Sequence, residues 1–277
     1  MARVVLGESR FKARRRKRRI LLASSVCTVL LVVVGGSIFL ARAAFLRITM
    51  IVVSGASVVP PDAIQALVQQ DIAGTYLFAY PKANILLYPK NNIKRQLFTQ
   101  FPTLKDVDVH AINFHTLDVA VVERQPVALW CADASSSPCF LLDTDGLVYA
   151  PAPSYSGDAY KKYVGGASGA LPWQYLTQEE FHALSALVDA VAKKESAETV
   201  TSITVDANND VHLVFGSGPD ASMGPGFTLL FALHDDTGKI FERFTLALTS
   251  TPFTVHQLAD FEYLDLRFGD KLYYKLK

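Results

Sequence analysis

The sequence predicts an α+β protein: a single transmembrane helix, a small strand-helix-helix-strand-strand domain, and a second α+β domain built on an antiparallel sheet. Three observations predict it. An uncharged run of twenty-one residues, Ile20 to Leu40, stands apart near the N-terminus. Between Phe45 and Val122, runs rich in β-branched residues flank two segments with helical apolar spacing. From Val127 onward, short strand-like runs are punctuated by turn residues and by two more helical patterns.

The apolar run reads ILLASSVCTVLLVVVGGSIFL. At about 1.5 Å of rise per residue it reaches roughly 30 Å, the thickness of a bilayer's hydrocarbon core. Before it lies Arg10 to Arg19, in which only Phe11 and Ala13 are not basic; after it come the single charges Arg42 and Arg47. That asymmetry leaves the short N-terminus in the cytoplasm and sends the rest across the membrane. Ala41-Arg42-Ala43 resembles a signal-peptide cleavage site, but signal cores usually run to about 7–15 residues, which favours an uncleaved anchor. A buried core helix is the other reading; uniform apolarity beside a basic run disfavours it. The domains expected are a basic tail over 1–19, the span over 20–41, a first external domain over 45–124 and a second over 125–277.

The whole chain carries +1, and residues 1–19 carry +8, which leaves −7 on the remainder. The basic run is attracted to anionic lipid and serves foremost as a topology signal. No basic patch lies outside it, so nucleic acid is not an expected partner.

In the first domain, Phe45 to Val53 has the composition of a strand, ended by the turn Ser54-Gly55. Pro60-Pro61 opens a helix whose stripe is Ile64, Leu67, Val68 and Ile72, and Gly74 stops it. Thr75 to Tyr80 is short, aromatic and fits no template. A second helix is expected over Asn91 to Gln100, with Ile93, Leu97 and Phe101 four apart. Two alternating strands follow. The first buries Val107, Val109 and Ala111, and the second buries Leu117, Val119 and Val121. Three strands with two amphipathic helices on one face make a complete small domain.

In the second domain, strands are expected over Val127 to Cys131, Cys139 to Leu142 and Leu147 to Ala150, with Asp143-Thr144-Asp145-Gly146 as a tight turn. Residues 151–172 read as loop. Thr177 and Glu180 form a capping box for a helix with the stripe Phe181, Leu184, Leu187, Val188 and Val191. Strands follow over Val200 to Val205, Val211 to Phe215 and Gly226 to Leu233. A helix is then expected over Thr237 to Leu248. A terminal hairpin comes last, in which Leu264, Leu266 and Phe268 alternate with Tyr263, Asp265 and Arg267.

The chemistry-bearing residues are sparse. The six histidines are dispersed without zinc-ligand spacing. Asp143 to Gly146 opens like a calcium loop but lacks the later ligands, so a plain turn is expected. No nucleophile elbow, S-x-x-K or phosphate-cradling glycine loop appears. No cofactor, metal or small-molecule substrate is expected, and the chain does not read as an enzyme. Of the three cysteines, Cys27 lies in the span. Cys131 and Cys139 lie beyond it, where disulfides persist, and are expected to bridge a hairpin.

Four features together resemble the FtsQ/DivIB family of bacterial cell-division proteins. The first is the order of basic tail, single anchor and external region. The second is the strand-helix-helix-strand-strand pattern, which is similar to a POTRA domain and opens with Ile51-Val52-Val53-Ser54-Gly55, like the family's I-x-V-x-G. Glu123-Arg124-Gln125-Pro126-Val127-Ala128 is similar to E-R-x-P-V-A at the domain junction, and Tyr263 to Phe268 is close to a terminal Y-x-D-L-R-F. The Cys131/Cys139 pair departs from the better-known members, and residues 151–172 have no counterpart there.

The resemblance implies a non-enzymatic divisome scaffold at the septum. Its partners would be FtsB-like and FtsL-like bitopic proteins besides the membrane lipid bilayer, and it would help control septal peptidoglycan synthesis. The competing class is an envelope enzyme, or enzyme-associated domain, acting on the cell wall. A third reading is a POTRA-bearing secretion component; those usually precede a β-barrel of many alternating strands, and no such run is read here. Glu123, Arg124 and Pro126 are expected to be structural; the first two either pair with each other across the junction or stand as solvated charges at a strand end. The last strand is expected to be an open edge that takes a strand from its partner; the other reading is that Lys271, Lys275 and Lys277 guard this edge against pairing. Tyr263, Asp265, Arg267, Lys271, Leu272, Tyr273, Tyr274 and Lys275 are its candidate contacts.

Overall fold

The computed structural model describes residues 8–133, 138–153, 160–166, 169–194, 199–216 and 226–277, with side chains from residue 14 on. Part of the expected basic tail, of the segment between Cys131 and Cys139, and of the 151–172 loop lies outside the described residues. The chain forms two compact units, Met1–Glu123 and Arg124–Lys277.

Unit 1 begins with α1 (Glu8–Ala41). Its segment Arg14–Ala41 is long and apolar enough to cross a membrane, and none of its apolar window is buried within the protein. A buried core helix is therefore excluded. Next come β1 (Met50–Ser54), α2 (Pro61–Asp71), β2 (Thr75–Tyr76), β3 (Tyr80–Pro81), α3 (Lys90–Gln100), β4 (Leu104–Ala111) and β5 (Thr116–Glu123). The main sheet has the order β1-β5-β4, with β1 parallel to β5 and β4 antiparallel to it. A parallel pair needs a long crossover, which the two helices supply. Ile64 and Val68 of α2 and Ile93 and Leu97 of α3 are buried with Val107, Val109, Leu117, Val119 and Val121 of the sheet. Ala111, expected in this face, is exposed at the end of β4.

Gly55 is required where it stands. Its φ is +82°, and a Cβ there would collide with the Val121 carbonyl of β5. The aromatic stretch over 75–80 folds as a two-stranded hairpin, β2 with β3, that alternation over so few residues could not announce.

Unit 2 holds β6 (Pro126–Cys131), β7 (Cys139–Asp143), β8 (Leu147–Pro151), β9 (Lys161–Gly165), β10 (Trp173–Gln174), α4 (Gln178–Lys194), β11 (Thr199–Val205), β12 (Asp210–Gly216), β13 (Thr228–Ala232), α5 (Thr237–Leu248), β14 (Phe261–Phe268) and β15 (Lys271–Leu276). They form one ten-stranded sheet in the order β10-β8-β7-β6-β9-β11-β12-β13-β14-β15. The capping box forms as expected: Thr177 N donates to Glu180 Oε2 at 3.0 Å, and Glu180 N donates to Thr177 Oγ1 at 3.3 Å. The α4 stripe is buried throughout and shares a core with Ile240 and Phe244 of α5.

Two expectations are corrected. The sheet is mixed, not antiparallel, because β9 runs parallel to both β6 and β11, and β13 runs parallel to β14. Residues 151–172 are not all loop, because Lys161–Gly165 forms a strand in the middle of the sheet. That strand, KKYVG, places only Tyr163 and Val164 in buried positions, and a two-residue apolar signal beside glycines gives no period to read.

Candidate partner-binding edge

The sheet of unit 2 has two unlike edges. β10 is two residues long, a length that offers little to a passing strand. β15 is six residues long and pairs with β14 on one side; among the described residues no strand pairs with its other side. Lys271, Tyr273, Tyr274 and Lys275 are exposed, and Leu272 is half-buried against the core.

The two tyrosines are neighbours in an extended strand and so face opposite ways. Tyr274 stands edge-on to Phe253 at 5.7 Å and Phe261 at 5.9 Å, and those two rings stack at 4.2 Å. Tyr273 stands edge-on to Phe268 at 5.1 Å. Behind the strand is a cavity of about 290 Å³, lined by Leu246, Ala247, Pro252, Leu266, Leu272 and Tyr274. Arg243 of α5 borders it and donates to the carbonyls of Leu266 and Gly269, both at 3.0 Å. The strand's lysines are partly engaged. Lys275 pairs with Glu262 of β14, which holds the ammonium proton more firmly than usual.

β14 departs from the expected alternation. Asp265 is buried although its pairing is in register with that of Tyr263 and Leu264, and Phe268, beyond a register shift between Asp265 and Phe268, is exposed. Arg267 wraps the buried carboxylate: its backbone N–H and Nε donate to Asp265 Oδ1 at 3.0 and 2.9 Å, and Nη2 donates to Oδ2 at 2.6 Å. Its Nη1 donates to Asp210 Oδ2 at 2.6 Å. Burial pushes the Asp265 carboxyl up, but the bonds and charge of Arg267 outweigh it and hold the carboxyl below its ordinary range. The same bonds raise Arg267. Asp265 and Arg267, grouped above with the partner contacts, thus have their charges met inside the chain, and Tyr263 is half-buried beside them.

Arg243, Phe253 and Glu262 were missed by the sequence reading. Arg243 sits one residue before the buried Phe244, so its position on the helix announced no role. Glu262 carried a signal: it lies in the strand that a hairpin turn folds against Lys275.

The boundary residues have partners other than the one expected. Glu123 does not pair with Arg124. Its Oε1 accepts from the backbone N–H groups of Ser57, Val58 and Val59 at 3.0, 2.9 and 2.8 Å, and Oε2 accepts from Val58 at 2.9 Å. Burial raises this carboxyl, yet the three backbone donors together hold it below its ordinary range. Arg124 Nη1 bonds instead to Asp143 Oδ2, whose carboxylate also accepts from Asp145 N and Leu147 N at 2.9 Å each. Consecutive side chains of an extended chain leave it on opposite faces, which separates Glu123 from Arg124. Pro126 opens β6 opposite Asp143, at the first residue of a strand, where a missing N–H is tolerated.

Cys131 and Cys139 are paired residues of β6 and β7 and form a disulfide, with Cα atoms 4.4 Å apart. Among the described residues no group of three or more His, Cys, Asp or Glu is arranged to hold a metal ion. A second cavity, about 550 Å³, opens beside β9 and α4, where Lys161 and Asp189 pair with each other. No protein-family model matches the chain, and no curated protein matches it in sequence.

Proposed function

We propose that this chain is a non-enzymatic membrane scaffold of the FtsQ/DivIB kind. In this reading α1 spans the cell membrane once with its N-terminus in the cytoplasm. Unit 1 beyond it is a POTRA-like domain. The β15 edge of unit 2 takes a strand from an FtsB-like partner, with an FtsL-like protein joined through it, at the division septum. The complex then helps control septal peptidoglycan synthesis.

One observation carries the reading: a six-residue outer strand with exposed aromatic side chains, next to an apolar cavity. Main-chain groups of such an edge supply affinity, and flanking side chains supply selectivity. The strand-helix-helix-strand-strand order of unit 1 and the apolar, unburied α1 support the rest.

The test is capture of an FtsB-like bitopic protein by the full chain in detergent. Tyr273→Ala, outside the core, should weaken capture at least tenfold, about 1.4 kcal/mol, as aromatic anchors of interfaces do. Leu272→Pro should abolish it, by removing a backbone donor and bending the strand. Capture unchanged in both variants, with the fold intact by circular dichroism, refutes the edge as the site.

A further inference from the structure

We infer that the β2–β3 hairpin is a lipid-binding wedge, whose tip Leu77–Phe78 enters the boundary between headgroups and acyl chains beside α1. The inference rests on the reading of α1 as a membrane span. Leu77 is 86% exposed and Phe78 is 97% exposed, the most open large apolar side chains among the described residues of this unit. Both occupy the left-handed region, at φ 46° and 60°. Two consecutive residues with positive φ make the turn type that Asn and Gly normally supply. A connection that only had to turn would carry those residues. Here both strained positions carry large apolar groups aimed at solvent.

The tip is held at the end of the apolar helix. Tyr80, in β3, shares a hydrogen bond of 2.9 Å between its hydroxyl and Ser37 Oγ, and Ser37 lies one turn inside the apolar run. Arg42 Nε donates to the Ala79 carbonyl at 3.1 Å, and the buried Asn84 donates from Nδ2 to the Ala41 carbonyl at 2.8 Å. These bonds put residues 77–80 at the level where the span leaves the hydrocarbon. The surroundings suit that depth. Tyr76 and Tyr80 flank the tip, as tyrosines do at membrane interfaces. Lys82 lies over the Tyr76 ring at 5.7 Å, where a long cationic side chain can reach the headgroups.

The experiment is accessibility of nitroxide labels on the full chain in vesicles of phosphatidylcholine and phosphatidylglycerol. The label is placed by Phe78→Cys in a Cys27→Ala background, and by Gln69→Cys as an exposed aqueous reference. Native Cys27, labelled in the otherwise unchanged chain, reports the span. The label at 78 should collide with a water-soluble nickel complex at least threefold less than the label at 69, while remaining open to oxygen. If Cys27 is shielded but positions 78 and 69 are equally open to nickel, the wedge is wrong and the span stands. If Cys27 is open to nickel, both fall. Shielding at 78 that appears in native membranes but not in the vesicles assigns the tip to a protein partner and overturns the lipid assignment.

Discussion

Two carboxylates, one at the end of unit 1 and one at the end of β7 in unit 2, are held in different ways. Glu123 closes unit 1 and is held by neutral donors, the backbone N–H groups of Ser57, Val58 and Val59. Asp143 belongs to unit 2 and is held by a guanidinium as well as by two N–H groups of its own turn. The difference decides what a substitution exposes. Taking a charge away from the first site leaves neutral donors short of an acceptor. Taking the guanidinium from the second leaves a buried charge without its counter-ion.

The largest effect should follow from that second loss. Arg124→Ala strands Asp143, whose side chain is 1% exposed. Removing one partner of a buried pair costs about 3–5 kcal/mol, and the two remaining backbone bonds place this case near the lower end. Both tryptophans, Trp130 and Trp173, lie in unit 2, so intrinsic fluorescence in denaturant follows that unit alone. A loss under about 1 kcal/mol would erase the contrast between the sites, since that is the scale of an exposed pair.

The disulfide should come next. Cys131 is fully buried and bonded to a residue eight positions on, so the closed loop is short. Its removal by Cys131→Ala and Cys139→Ala together should lower the stability of unit 2 by about 2–3 kcal/mol. Hydrogen exchange in unit 1 should be unaffected, and parallel loss in both units would show that the units do not unfold separately.

These sites also mark where the sequence could be read and where it could not. Periodic elements were legible: the α4 stripe from Phe181 to Val191, the Thr177–Glu180 cap and the helix Thr237–Leu248 needed only local spacing. The cysteine pair was legible because two short strands flanked it. β9 was not, because a central strand with neighbours on both sides depends on partners distant in sequence. The same holds for Glu123, whose donors lie more than sixty residues earlier. Its adjacency to Arg124 suggested a pair that the alternation of an extended chain forbids. At the C-terminal edge the hairpin was readable, but the Arg267 wrap around the buried Asp265 and the register shift before Phe268 were not.

The smallest effect belongs to Glu123, and it separates the two sites most cleanly. In Glu123→Gln one carbonyl oxygen remains, and it can occupy the place of Oε1, on which all three N–H groups converge. The loss should be about 1–2 kcal/mol, the difference between a charged and a neutral acceptor plus one imperfect bond. Exchange of the Ser57, Val58 and Val59 amides should quicken by roughly tenfold at pH 7, while the tryptophan transition of unit 2 stays in place. Acid should reproduce the substitution. The folded carboxyl sits below its ordinary value, so its contribution is complete above the unfolded pKa, about 4.3, and is lost as pH falls from there through the folded value. Protection of these three amides, corrected for the intrinsic rate at each pH, should therefore fall below about pH 4 in the parent chain and stay flat in Glu123→Gln. Equal acid sensitivity in both proteins would mean that another carboxylate governs this loop.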